Sequence, residues 1–465
     1  MKKFWLVLLS LGLIMAFSVS AFAVDVKVSG EYYAAGLYLN KTQVFTNPDG
    51  ADSDTSTAFF YQRLRIGTDF IVSPCLKLVT RFDAMERIWG GQRSPGYGGR
   101  SDDDDDYSYS AGTRAENENI AFDLVYIDYT APIGQFKVGY QDDWVWGTVF
   151  DNWANGTPAG QIQYWKNVGP LTFLAIYAKE EDNSSSAVTS ASTTDLDYDS
   201  YRVGAIYNFK GNNVAGETGI LLSYDRDAVD RAYFKPTHKS NIYMIAPYVK
   251  TKIGPVTLQA ELEYAWGDVM KLEDGNTDPN VSLSELGVFV DAAANFGIFN
   301  VGGSVAYISG DDLGTQDKVE GGYYITGGLD WNPCLILFNN DLRFWAGWIP
   351  GHVESYVNDI MYNSWFFQGR VGVKPTPQLD LTLAVAHAFA DKKPDTLNTG
   401  YSFANGTYGT EIDLVGTYKI TNNLTYMLGA GYLFTGDLFR GYDDLPWEMS
   451  IQDNFTLINK LTLTF

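Results

Sequence analysis

From Tyr61 to Phe70 the sequence YQRLRIGTDF changes side at every step. Gln62, Leu64, Ile66, Thr68 and Phe70 fall on one face, and Tyr61, Arg63, Arg65, Gly67 and Asp69 on the other. Only a strand sends successive side chains to opposite faces, so this rhythm predicts sheet. After the turn VSPC, LKLVTRFDAMER repeats it, with Leu76, Leu78, Thr80, Phe82 and Ala84 against Lys77, Val79, Arg81, Asp83 and Arg87. Two such runs around a tight turn make a hairpin. Val24 to Leu39 and the final INKLTLTF alternate in the same way.

The connectors between strands come in two lengths. TAPIGQ (130–135), NVGP (167–170), KIGP (252–255), NFGIFN (295–300), KPTPQ (374–378) and TNN (421–423) are short. The stretches 91–114, 181–199 and 271–279 are long and polar, and the first contains the acidic run Asp102 to Asp106. That run lacks the spaced ligands and the bend glycine of a calcium loop. Short turns at one end and long loops at the other are the pattern of a transmembrane barrel. After the N-terminal segment no run of about 18 apolar residues offers a membrane helix. A bilayer demands that every backbone N–H and C=O be paired, which leaves helices or closed barrels. The expectation is an all-β, antiparallel transmembrane barrel whose last strand pairs with its first. Leu461, Leu463 and Phe465 then form part of the wall, facing lipid at the rim.

Residues 1–23 read as a secretory signal peptide: Lys2 and Lys3, an apolar core, then Ala21-Phe22-Ala23 as the cleavage site. Residues 24–465 show no composition shift and read as one barrel domain. Loss of Lys2 and Lys3 takes the net charge from −23 to −25, which argues against a nucleic-acid partner. Cys75 and Cys334 are too far apart for any CxxC spacing and read as isolated thiols. There is no GxSxG, HExxH or phosphate-loop motif, and His238, His352 and His387 are scattered, so neither enzyme chemistry nor a metal or other cofactor is expected.

The signal peptide, the alternating strands and the closing LTLTF resemble a Gram-negative outer-membrane porin over the whole mature chain. The resemblance implies outer-membrane localisation, contact with lipid and lipopolysaccharide, delivery by the barrel assembly machinery through the C-terminal Phe465, and a homotrimer. It implies passive diffusion of small hydrophilic solutes and ions. The count is about 18 strands, with 16 or 20 as alternatives. The doubtful region is 310–361, where GYYITGGLD and NDLRFWAG are either another strand pair or part of a long connection. The continuous apolar run CLILF favours a connection tucked against the mouth.

The candidate site follows the strand QFKVGYQ. The stretch 142–159, DDWVWGTVFDNWANGTPA, resembles the third loop of porins, which folds inward and narrows the pore. It would bring Asp142, Asp143 and Asp151 to the constriction. By phase, Arg63, Arg65, Lys77, Arg81 and Arg87 face the lumen opposite, since lipid exposure would cost about 2–4 kcal/mol each at mid-depth. The alternative is that these cations pair with Asp69 and Asp83 as salt bridges within the wall. Trp144, Trp146, Trp153 and Tyr164 would form an aromatic track if the channel is specific for a sugar or a carboxylate. A third reading is a structural barrel around a partner protein. Net charge leans the ion preference weakly towards cations, whereas the basic wall opposes it.

Overall fold

The computed structural model describes residues 24–46, 55–90, 120–154, 156–183, 195–232, 237–273, 278–352, 355–393, 405–441 and 450–465. Residues 1–23, read above as a signal peptide, and the Asp102–Asp106 run lie outside these. The alternating segments are strands. The first nine are β1 (Asp25–Leu39), β2 (Thr57–Ser73), β3 (Leu76–Ile88), β4 (Ile120–Ala131), β5 (Gly134–Gln141), β6 (Ala159–Val168), β7 (Leu171–Glu181), β8 (Tyr198–Lys210) and β9 (Val214–Asp227). The rest are β10 (His238–Ile253), β11 (Val256–Leu272), β12 (Val281–Phe296), β13 (Phe299–Ile308), β14 (Ser364–Val373), β15 (Leu379–Ala390), β16 (Thr407–Lys419), β17 (Leu424–Thr435) and β18 (Asn454–Thr464).

Each strand pairs antiparallel with its neighbours in the chain, and β1 pairs with both β2 and β18. Among the described residues, 18 strands close the barrel; the two-residue strand Lys318–Val319 only leans, parallel, on β12. The seam is held in register from Glu31↔Thr464 to Leu39↔Thr456. Gly30 exchanges both backbone hydrogen bonds with Phe465, at 2.9 and 3.0 Å. A Cβ at Gly30 would fall 2.6 Å from the Phe465 ring, so the glycine seats the aromatic at the rim. Leu461, Leu463 and Phe465 are exposed on the outer face.

The short connectors are the tight turns that the sequence marks. Gly169, Gly254 and Gly297 hold them with φ of 59°, 58° and 63°, a conformation that side chains with a Cβ resist. Between the turns and the long connectors the outer face is aliphatic: Val203, Ile220, Leu222, Leu262, Leu383, Leu414 and Leu428 are all exposed. Towards the long-connector end a ladder of rings runs across five strands. Tyr177, Tyr201, Tyr224, Tyr243 and Trp266 follow one another with centroids 5.4, 6.2, 4.9 and 5.9 Å apart. An aliphatic band edged by aromatics is the surface that a bilayer solvates.

The region between β13 and β14 corrects one expectation and refines another. Among the described residues no extra pair of barrel strands forms there. NDLRFWA is a helix, α1 (Asn340–Ala346), capped by the Asn339 side chain on the Leu342 N–H at 2.7 Å. The connection does not stay at the mouth; it fills part of the lumen. Ile336, Leu337, Phe338 and Trp345 are each no more than 2% exposed. Trp345 stacks on Tyr61 of β2 at 4.4 Å, and Phe338 meets Tyr408 of β16 at 5.1 Å. The apolar run CLILF is not turned into water: Phe338 packs on Phe366 of β14 and Tyr408 of β16, and Leu335 lies over Gly429 and Gly431 of β17. Tyr33, Ala35, Leu37 and Leu39 occupy the inward phase of β1, and Ile242, Met244 and Ala246 that of β10.

Candidate pore constriction

The 142–158 connector crosses the barrel interior. Val145 bridges Asn152 in a small hairpin, and the turn inside it needs Gly147, at φ 62°. A Cβ there would stand 2.4 Å from a Glu261 oxygen. Four ties fix the connector. Asp142 takes the Arg81 guanidinium of β3 at 2.6 Å. Asp143 takes Arg202 of β8 at 2.6 Å. The Trp146 indole donates to the Ala246 carbonyl of β10 at 2.8 Å. Glu261 of β11 accepts the backbone N–H groups of Thr148, of Val149 at 2.8 Å and of Phe150 at 2.6 Å.

The second inward segment hangs from the wall in the same manner. Glu285 of β12 accepts the N–H groups of Tyr323, Tyr324 and Ile325 at 2.7, 2.8 and 2.7 Å. Glu411 of β16 accepts those of Ile336 and Leu337 at 2.8 and 2.7 Å. The two segments also touch: Gly328 N–H donates to the Val149 carbonyl at 3.1 Å, and Asp330 N–H to that of Asn152 at 3.2 Å. Charge-assisted bonds from a buried carboxylate are about twice as strong as neutral ones. A single wall glutamate can therefore hold a connector that has no sheet partner.

The sequence-marked cations are largely paired within the wall. Arg65 is bidentate to Asp83, with both bonds at 2.7 Å. Lys77 meets Asp69 at 2.9 Å, and Arg63 lies 3.9 Å from Glu31 and 3.8 Å from Glu86. Arg81 alone joins wall to connector, also binding Asp123 at 2.7 Å. Arg87 departs from the expected phase. The chain bulges at Met85, with φ 53°, so Glu86 meets Arg63 while Arg87 stands opposite Gln62. Directly opposed residues share a face, which sets Arg87 apart from the lumenal cluster.

Of the aromatic track, Trp144 and Trp146 line a cleft of about 280 Å³ on the inner side of β4–β9, together with Tyr126, Lys137, Gln141, Gln161, Gln163, Trp165 and Arg202. Trp144 lies over the Arg202 guanidinium at 3.6 Å. Trp153 turns back into its own connector, donating to the Phe150 carbonyl at 2.9 Å. Tyr164 is on the outer face, beside Phe136 and bonded to the Ile133 carbonyl at 2.6 Å. The lumenal ring on β6 is its neighbour Trp165. Lys137, Gln141, Gln161, Gln163, Trp165, Arg202 and the anchoring glutamates are not among the residues that the sequence singles out. Alternation alone would mark several: Arg202 sits between outward Tyr201 and Val203, and Glu261 beside outward Leu262.

Asp151 does not face the water path. It is buried against β11 and hydrogen-bonded to Glu263. Burial first, then the Glu261 charge, holds its carboxyl well above the ordinary carboxylate range, while Arg202 opposes the shift. A raised acid favours the docked state in its protonated form, so this contribution is complete below the ordinary carboxylate range and is lost progressively as the pH rises towards the raised value. Single-channel current should become larger and noisier as the pH is raised from about 4 to about 8, and Asp151→Asn should flatten that dependence. A wild-type trace unchanged over the same interval would count against it.

No family model and no curated protein matches the chain. Solved structures do. The chain covers 94% of itself and 99% of OpdK from Pseudomonas aeruginosa, crystallised with vanillate, at 12% identity and a TM-score of 0.50. An anion-selective porin from Comamonas acidovorans matches over 95% of this chain and 99% of its own, at 12% identity and a TM-score of 0.43. The likeness to OpdK is one of fold: this chain, too, is a closed antiparallel barrel, here of 18 strands. Its aliphatic outer band is a surface suited to the interior of a bilayer.

Proposed function

We propose that the chain forms a water-filled outer-membrane channel through which small hydrophilic solutes and ions diffuse passively, with a weak preference for cations drawn from the net charge of −25 that remains once Lys2 and Lys3 are removed from −23. One observation carries the reading: two pinned segments cross the lumen and leave a polar cleft of about 280 Å³ beside them. The same segments occupy the space that a partner protein threaded through the barrel would need.

The cleft favours a substrate-specific channel over a general one. Lys137 has no ion-pair partner among the described residues and lies 5.4 Å from the Trp165 ring centre. Gln141, 4% exposed on the same face of β5, has a buried amide nitrogen with no hydrogen-bond partner. Two idle donors beside aromatic rings suit a small solute with one flat apolar face and an acceptor edge, such as a sugar or a carboxylate. Planar-bilayer recording under a salt gradient, with benzoate or glucose added, tests this. Saturable block by one of them is expected, weakened about tenfold, or 1.4 kcal/mol, in Lys137→Gln. Linear, unsaturable flux of both solutes would leave general diffusion as the function. The cation preference fails if the wild-type reversal potential has the sign of an anion channel.

A further inference from the structure

The inward phase of β16 carries two acids, Glu411 and Asp413, and the second inward segment lays Cys334 against both. The three side chains are 1%, 5% and 3% exposed, and their ligand atoms lie within 4.8 Å of one another. Backbone N–H groups of residues 335–337 point at the carboxylates, and among the described residues no cationic side chain forms an ion pair with either acid. Asp413 Oδ1 is buried and has no donor unless a proton is shared with the neighbouring Glu411 carboxyl. The Cys334 thiol is free and makes no hydrogen bond among the described residues. On β17, directly opposite Asp413, stands Gly431. A Cβ there would fall 2.7 Å from Asp413 Oδ1 and 3.2 Å from a Glu411 oxygen. The glycine leaves room there for both oxygens and for the Leu335 Cβ, 3.0 Å from the same point.

We propose that Cys334, Glu411 and Asp413 form a binding site for a divalent cation of the zinc class, which fastens the second inward segment to the barrel wall. Two buried carboxylates without a counter-charge are costly, and backbone dipoles supply only part of what is missing. One sulfur and two oxygens are a donor set that zinc accepts, at about 2.3 Å and 2.0–2.2 Å respectively. Closing onto the ion would draw the ligand atoms together by roughly 1 Å. Zinc binds a cysteine as the thiolate, so loading the site would release the thiol proton. The competing state has no metal, with Glu411 and Asp413 sharing one proton.

The test uses the full mature chain in a Cys75→Ser background, folded into detergent with zinc or cobalt(II) present and then desalted. Elemental analysis should find one zinc per chain, and the cobalt form should show a thiolate-to-cobalt charge-transfer band. Cys334→Ser should abolish the band, and Gly431→Ala should lower zinc content severalfold, with folding checked by heat-modifiable migration. If a variant fails to fold, the wild-type cobalt spectrum still decides. Zinc no higher than in Cys334→Ser, or cobalt without the thiolate band, overturns the site in favour of the shared proton.

Discussion

Glu261→Ala should raise single-channel conductance roughly twofold or more and make the open state noisy. Glu261 holds three consecutive N–H groups of the 142–158 connector from β11, five strands round the barrel from β6. Each bond to a buried charged acceptor contributes about 1.5–3 kcal/mol. Without them the hairpin tip is left with three unsatisfied donors beside an alanine, and its better state is one turned towards water. Glu261→Gln keeps one good acceptor and should fall between wild type and alanine. Asp142→Asn should do less. Arg81 would still hold Asp123 at 2.7 Å and the Ala154 carbonyl of the connector at 3.1 Å, so the tie is weakened and not lost. An alanine variant with unaltered conductance and noise would show that the connector does not set the narrowest point.

The barrel was legible because it rests on a property that each strand states locally. Alternation fixes which residues meet lipid, and the glycines at 169, 254 and 297 mark turns without reference to anything distant. The inward face was legible only in part. Arg65 and Lys77 follow the alternation and do face inward, but Met85 inserts a bulge that no pattern of polarity announces, and Arg87 goes with it. What covers the inner wall could have been suspected from strands that are apolar in both phases. In β1 the outward Tyr38 is flanked by the inward Leu37 and Leu39, which makes no sense against water and good sense beneath the segment containing Trp345. The anchoring role of Glu261, Glu285 and Glu411 was not legible at all. It depends on which backbone N–H groups arrive from connectors far away in the chain, and hydropathy carries no trace of that.

The larger consequence is that the wall and its filling are separable. Ile308 and Ser364 are register partners on adjacent strands β13 and β14, so a two-residue Asn-Gly turn with a short flank can replace residues 310–362 without straining either strand. The ladder hydrogen bonds of all 18 strands stay in place, and the shortened chain should still assemble and migrate as a heat-modifiable barrel. Its lumen, however, loses the packing around Phe338 and Trp345. Each such ring in a core is worth about 3–5 kcal/mol when truncated, and the exposed faces of Tyr33, Tyr61 and Phe366 would then meet water. Thermal stability should drop clearly. The 142–158 connector also loses its ties to Gly328 and Asp330, so it loosens even with Glu261 intact. Barrels of about 16–18 strands without a plug carry an aqueous channel. Conductance should therefore rise by about an order of magnitude, and the size limit for polyethylene glycol entry should move to longer polymers. An assembled deletion variant with the wild-type polymer cutoff would mean that residues 310–362 do not lie in the path of solutes, and the constriction would have to be sought elsewhere along the bore.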